Sequence, residues 1–302
     1  MSEAIKNLGL QPMMMNGDVR NADGYVNGFN TTRFASHCAS LIRSGYPVLL
    51  GGDLDDRTGS DSQHAMCLVG VREPTLEPVS PGEFSLQDRA LEHLYLHDDN
   101  IGPQVRFELE ENEEGVAVLR PSQPRPLRDD SHYPELDLDP YEFKPTEMLV
   151  AVHQDVRLPF DDLHKLLLKV GDLLSTALND AFGGLPAGLA GSLQVMRVAN
   201  YVGEGLGAAI GGDSDALRET RLGVWEKLPP MSLHIGVLRI GLTDVEGGST
   251  QILDLLVDTT ELAHNEPVFG YVSYHPRMSR VVRSLEAVDN VEVDFGIGIE
   301  IG

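Results

Sequence analysis

Three short apolar blocks between Gly45 and Gly102 constrain the fold of this chain more than any other feature. They are predicted to be the strands Tyr46–Leu50, Ala65–Val71 and Leu91–His97, because each has a strand-like composition and ends in turn residues. Two of these blocks are expected to lie side by side as adjacent strands.

The second and third blocks carry a histidine and an aspartate at their ends. His64 opens the second strand, and Asp98 follows the third. An aspartate beside a histidine holds the imidazole in one tautomer and orientation, which is the supporting half of a nucleophilic triad. Asp98 shares a strand face with Leu94 and Leu96, so it should be partly buried and in need of a partner. The alternatives are a surface histidine at position 64 and, for Asp98 and Asp99, ordinary turn residues.

Helices are predicted on both sides of these strands. Thr31–Ser44 has apolar residues on one face and ends before a glycine, and Phe160–Phe182 repeats leucine and valine at the helical period. The strands cluster and do not alternate strictly with helices, which indicates an α+β fold. Further strands are predicted at Val105–Leu109, Val116–Leu119, Met148–His153, Leu193–Val198, Leu233–Leu242, Ile252–Val257, Phe269–Tyr274 and Val291–Ile301, and further helices at Asp213–Trp225 and Met278–Val288.

A proline-rich stretch divides the chain. Pro121–Pro145 contains six prolines among many charged residues, which is typical of a linker. A chain of 302 residues is long enough for one or two domains. We therefore expect a first region at residues 1–120, a linker at 121–145 and a second α+β region, of unknown role, at 146–302.

The charge balance limits the partners. The chain has 47 acidic and 23 basic residues and a net charge of −24, which disfavours nucleic acid and an anionic membrane surface as partners. Met1–Met15 lacks the basic start and apolar run of a signal peptide, and no apolar run reaches the ~18 residues that span a bilayer. Two cysteines are too few for a disulfide scaffold, so a cytoplasmic location is expected.

The order of these blocks resembles the papain-like cysteine peptidases, in particular the C39-like group. The similar residues are a helix, a G-Y-P-V strand, an H-A-x-x-L-V-G strand and the strand end Y-L-H-D-D-N-I-G-P, within about residues 32–109. The resemblance implies a papain-like core with a mainly antiparallel sheet in the first region, and hydrolysis of a peptide or amide bond by a thiol. It also implies that His64 is the general base and that Asp98 is the acid that orients it.

The nucleophile departs from the family pattern. The family's cysteine lies at the start of a helix well upstream of the histidine, whereas Cys38 lies 26 residues before His64 and about two turns into its helix. A thiolate in that position gains little from the helix dipole. Cys38 is the candidate nucleophile, and the alternative is a buried structural cysteine beside Phe34 and Leu41. Cys67 lies on the opposite strand face from His64 and is expected in the core.

Three functions stay open on these residues. The first is a C39-like thiol hydrolase that uses His64, Asp98 and Cys38. The second is a papain-like domain that no longer cleaves and instead binds a peptide or protein. The third is a metal-dependent hydrolase, which His93 and His97 support poorly because they lie ~13 Å apart on an extended strand. No resident metal is expected, and no glycine-rich phosphate motif predicts a nucleotide or other cofactor.

Overall fold

The fold is α+β, as the clustered strands predicted. The computed structural model describes the chain apart from residues 1, 22–23, 56–61, 76–77, 123–140, 183–184, 186, 207–213, 229–232, 244–248, 261–267, 276, 287–294 and 302. The described helices are α1 (Ser2–Asn7), α2 (Thr31–Arg43), α3 (Phe160–Phe182), α4 (Val198–Asn200), α5 (Ser214–Lys227) and α6 (Met278–Glu286), with a π-helical turn at Tyr201–Gly205. The described strands are β1 (Leu10–Asn16), β2 (Val19–Asn21), β3 (Gly24–Val26), β4 (Val48–Asp55), β5 (Ser62–Arg72), β6 (Phe84–Leu86), β7 (His93–Asp98), β8 (Gly102–Glu111), β9 (Ala117–Pro121), β10 (Glu142–His153), β11 (Leu189–Arg197), β12 (His234–Thr243), β13 (Ser249–Asp258), β14 (Val268–Ser273) and β15 (Ile297–Glu300).

The chain divides into two compact units. Unit 1 comprises Met1–Pro74 and Asp88–His153, and unit 2 comprises Thr75–Gln87 and Gln154–Gly302. The boundaries expected at 120 and 146 differ from this division, because β10 pairs with β1 and β4 of unit 1 and because residues 75–87 belong to unit 2. Residues 123–140 of the predicted linker lie outside the described part of the chain.

Unit 1 is built on one antiparallel sheet in the order β1-β10-β4-β5-β7-β8-β9. β9 also pairs with β10, through Leu119 and Phe143, so that six of these strands close into a ring. The first 30 residues have only weak strand-like periodicity, yet they include β1. That strand buries Met13 and Met15 and pairs with β10 along its whole length, so tertiary pairing and not local propensity makes it a strand.

Helix α2 packs against this sheet. Its first turn is capped by the Asn30 side chain, which accepts hydrogen bonds from the Thr32 and Arg33 amides, and Gly45 follows its end with a left-handed φ of 80°. Every residue in Phe34–Leu41 is buried, and the helix contacts β4, β5, β8 and β9. The sequence pattern predicted one apolar face, but the helix is enclosed on all sides along these two turns.

An ion pair closes the end of α2. The Arg43 guanidinium binds both oxygens of the buried Asp88 carboxylate at 2.6 and 3.1 Å and reaches Glu73 at 2.5 Å. Burial raises the pKa of the Asp88 carboxyl, and the hydrogen bond and charge of Arg43 oppose that effect. Glu73 and Asp88 lie at the two points where the chain leaves unit 1 and returns to it, so Arg43 holds both ends of the intervening segment.

Unit 2 is a second sheet, in the order β15-β14-β13-β12-β11-β6. One face carries α3, whose Leu163 lies against Gly236 of β12. The other face carries an apolar cluster with Tyr201 of the π-helical turn and Val224 of α5. The leucine periodicity predicted a helix at Phe160–Phe182, and α3 has these bounds. Within the described residues, no helix combines the length and apolar composition that a membrane span requires.

Strand β6 lies in a stretch whose three prolines indicated a loop. It pairs in parallel with β11. The Phe84 ring occupies the space that side chains at Gly171 and Gly191 would need. The two glycines leave room for the ring between α3 and β11, and this packing outweighs the local loop signals.

Candidate functional site

His64 and Asp98 lie together in unit 1, as the sequence predicted. They meet because β5 and β7 are antiparallel neighbours, which brings the start of β5 beside the end of β7. His64 Nε2 lies 3.3 Å from Asp98 Oδ1. The side chain of His64 is 13% exposed, and that of Asp98 is fully buried. The imidazole therefore has a fixed carboxylate partner and a route to solvent.

The Asp98 carboxylate is held by donors other than the histidine. Oδ1 accepts hydrogen bonds from the amides of Asn100 at 2.7 Å and Ile101 at 3.3 Å, and Oδ2 accepts one from the Tyr141 hydroxyl. Burial and the contact with Asp98 raise the pKa of the Tyr141 phenol, so this hydroxyl keeps its proton and remains a donor. Asp98 thus stabilises the turn, as one alternative proposed, and orients His64 as well.

The imidazole has one nitrogen engaged and one nitrogen left for chemistry. Nε2 faces the carboxylate, so Nδ1 is the nitrogen that can exchange a proton with another group. The ring packs edge-on against Phe143, with 6.3 Å between centroids and 83° between planes. Phe143 is fully buried in β10, and its ring limits the directions that the imidazole can take. Orientation by Asp98 and Phe143 is the preorganisation that a general base needs.

A second carboxylate approaches the same nitrogen. Asp99 Oδ1 lies 3.5 Å from His64 Nε2, and the Asp99 side chain is 85% exposed. The donor atoms of His64, Asp98 and Asp99 lie within 4.8 Å of one another, a spacing that could hold a metal ion. Asp98 Oδ1 already accepts two amide hydrogen bonds, so a cation at that atom would compete with them, whereas Oδ2 accepts one hydrogen bond, from Tyr141. His93 and His97 do not belong to this group.

Cys38 is not brought to this pair. It lies in the enclosed part of α2 with no exposed surface, and burial raises the pKa of its thiol above the ordinary value. Among the described residues, the hydrogen-bond and ion-pair partners of His64 are Asp98 and Asp99. Cys67 is half-buried in β5 and burial raises its pKa too, so it is only partly in the core that the sequence indicated.

Two residues of the site were missed from the sequence. Phe143 lies in β10, and Tyr141 immediately precedes the strand, two positions away along the chain. Both lie within the predicted linker Pro121–Pro145, whose composition indicated no strand, although β10 begins at Glu142. A tyrosine and a phenylalanine at period two were the available signal, because an aromatic pair with that spacing is typical of a strand.

Comparison with protein-family models, curated proteins and solved structures found no match to this chain.

Proposed function

We propose that this chain is a hydrolase of peptide or amide bonds in which His64 is the general base and acid and Asp98 orients it. One observation carries the proposal: His64 Nε2 contacts a fully buried carboxylate that three other protein donors hold in place. The bond class comes from the resemblance of residues 32–109 to papain-like, C39-like peptidases. A papain-like core for unit 1 belongs to the same proposal.

The two residues have distinct roles in this reaction. His64 takes a proton from the attacking nucleophile on Nδ1 and becomes an imidazolium, which the negative charge of Asp98 stabilises. The imidazolium then returns the proton to the leaving amine, and the acyl group stays on the thiol as a thioester. His64 next takes a proton from water, which attacks the thioester; the acid is released, and the proton returns to the departing thiolate. General acid–base catalysis of this kind contributes ~10²–10⁴-fold to a rate.

Cys38 is the thiol that would attack. In the described packing it is enclosed, and its raised pKa keeps it protonated. Thiol hydrolysis by this chain therefore requires α2 to move so that the thiol meets both His64 and the substrate. This requirement makes the reactivity of Cys38 the decisive property to measure.

The burial of Cys38 favours a second candidate function. A papain-like domain whose cysteine is structural binds a peptide or protein and does not cleave it. In that case the His64–Asp98 pair fixes the shape of the site and performs no proton transfer.

Cysteine alkylation separates the two functions. Iodoacetamide labelling of each cysteine is followed against pH by peptide mass spectrometry, in the wild type and in His64→Ala. Cys67 is an internal control, because it is partly exposed and does not lie beside His64. Labelling of Cys38 at pH values well below the normal thiol pKa of ~8.5 would support the hydrolase if this labelling is abolished in His64→Ala. Labelling of Cys38 that is slower than that of Cys67 and unchanged by the mutation would remove the thiol mechanism and favour the binding domain.

A further inference from the structure

The Asp99 side chain is not needed to stabilise the turn after β7, because Asp98 already does so. The hydrogen bonds that stabilise the turn after β7 go to the Asp98 side chain, from the amides of Asn100 and Ile101. The Asp99 side chain is 85% exposed, and within the described residues its partner is His64 Nε2 at 3.5 Å. The turn would therefore keep its described hydrogen bonds without the Asp99 carboxylate.

Asp99 is also not needed to orient the imidazole. Asp98 already lies closer to Nε2, at 3.3 Å, and is fully buried and held by three other donors. An exposed carboxylate adds little to that alignment, because solvent weakens its interaction with the ring. Its distinct property is a negative charge on the open side of the histidine.

The charge at the site is negative in both protonation states of the histidine. Two carboxylates face one imidazole, so the sum is −2 with neutral His64 and −1 with the imidazolium. In the described part of the chain, no lysine or arginine forms an ion pair with Asp98 or Asp99. The whole chain carries −24, so the surrounding field has the same sign.

We infer that Asp99 selects substrates that carry a positive charge next to the bond to be cleaved. This inference rests on the proposed function, because it places the substrate at His64. The substrate class is a peptide or amide with a lysine or arginine side chain, or a free amine, beside the scissile bond. An anionic substrate would meet the same charge as a repulsion.

The size of the effect follows from the exposure of Asp99. Two unit charges about 4 Å apart gain about 1 kcal/mol at the dielectric constant of water, which corresponds to about a fivefold change in affinity. The contact is open to solvent, so this value applies and not the larger one for a buried pair. It should shrink as salt is added, because salt screens exposed charges.

The test measures binding and cleavage separately on the full chain. Three fluorescently labelled peptides of equal length are used, identical except for lysine, glutamine or glutamate beside a central amide bond. Binding is followed by anisotropy at low and high salt, and cleavage by mass spectrometry, in the wild type and in Asp99→Asn. The matched control is Glu113→Gln, which removes the same charge from an exposed position in the β8–β9 turn.

We expect the lysine peptide to bind about fivefold tighter than the glutamine peptide, and the glutamate peptide to bind more weakly. Asp99→Asn should remove most of this preference, and Glu113→Gln should leave it. Equal binding of the three peptides, no measurable binding of the lysine peptide, or a preference that survives in Asp99→Asn would overturn the inference. A preference for the lysine peptide without cleavage would support the inference and count against the hydrolase. Cleavage without a charge preference would support the hydrolase and overturn the inference.

Discussion

The hydroxyl of Tyr141 offers the sharpest test of how the site is held. Tyr141→Phe removes the hydroxyl that donates to Asp98 Oδ2 and keeps the aromatic ring, which packs against Phe107 with 6.3 Å between centroids. The ring is retained, so the change removes the hydroxyl and its hydrogen bond with little other loss of packing. Because the acceptor is a buried carboxylate whose Oδ2 has no other hydrogen-bond donor among the described residues, we expect unit 1 to lose about 1.5–3 kcal/mol of stability.

The measurement must report on unit 1. The chain has one tryptophan, Trp225 in α5 of unit 2, so its fluorescence would follow the wrong unit. Hydrogen exchange of the Asn100 and Ile101 amides is a direct probe, because both donate to Asp98 Oδ1. A loss of about 2 kcal/mol makes exchange through opening of this site about 30-fold faster.

Tyr95→Phe is the matched control. Tyr95 lies in β7 of the same sheet, and its hydroxyl makes no hydrogen bond within the described residues. This substitution should change stability by less than about 0.5 kcal/mol. If Tyr141→Phe exchanged no faster at Asn100 and Ile101 than Tyr95→Phe, the Tyr141 hydroxyl would not be holding Asp98, and our account of the site would be wrong.

Two further predictions concern other buried groups of unit 1. Burial raises the pKa of the Cys38 thiol in the folded state, so the folded thiol keeps its proton at a pH at which the unfolded thiol ionises. The stability that the protonated thiol contributes is therefore complete below about pH 8.5 and is lost as the pH rises above that value. Above that pH, the unfolding free energy of the wild type should fall with pH by about 1.4 kcal/mol per pH unit more steeply than that of Cys38→Ala. The unfolding free energy is measured by urea titration at a series of pH values, and the same pH dependence in both proteins would contradict this reasoning. Arg43→Met leaves the buried Asp88 carboxylate without its partner and should cost about 3–5 kcal/mol. Arg72→Met breaks an exposed ion pair and should cost under about 1 kcal/mol, so similar losses in the two variants would show that the burial of Asp88 does not matter.

The sequence predicted the parts of the fold that have a strong local period. Helix α3 repeats leucine and valine at the helical spacing over 23 residues, and its bounds were predicted without error. His64 and Asp98 were predicted to meet because both stand at the ends of adjacent strands, and they do. In these cases, local pattern and tertiary structure favour the same outcome.

Other elements depend on partners far along the chain. β1 is a strand because β10 lies beside it, and β6 because two distant glycines leave room for Phe84. Tyr141 reaches Asp98 from 43 residues away, and no short-range pattern contains that contact. The complete enclosure of Cys38 follows from the four strands around α2, which helical periodicity alone does not include.

The position of β6 restricts how this chain can be divided and how it is made. Unit 2 takes an edge strand from residues 84–86, whereas the strand that it pairs with begins at residue 189. A fragment that starts after His153 would lack that strand and would expose the edge of β11 to pairing with other chains. On the ribosome, β6 emerges about 100 residues before β11, which at 5–20 residues per second is an interval of about 5–20 s. The two units therefore cannot be encoded as separate contiguous genes without moving this segment.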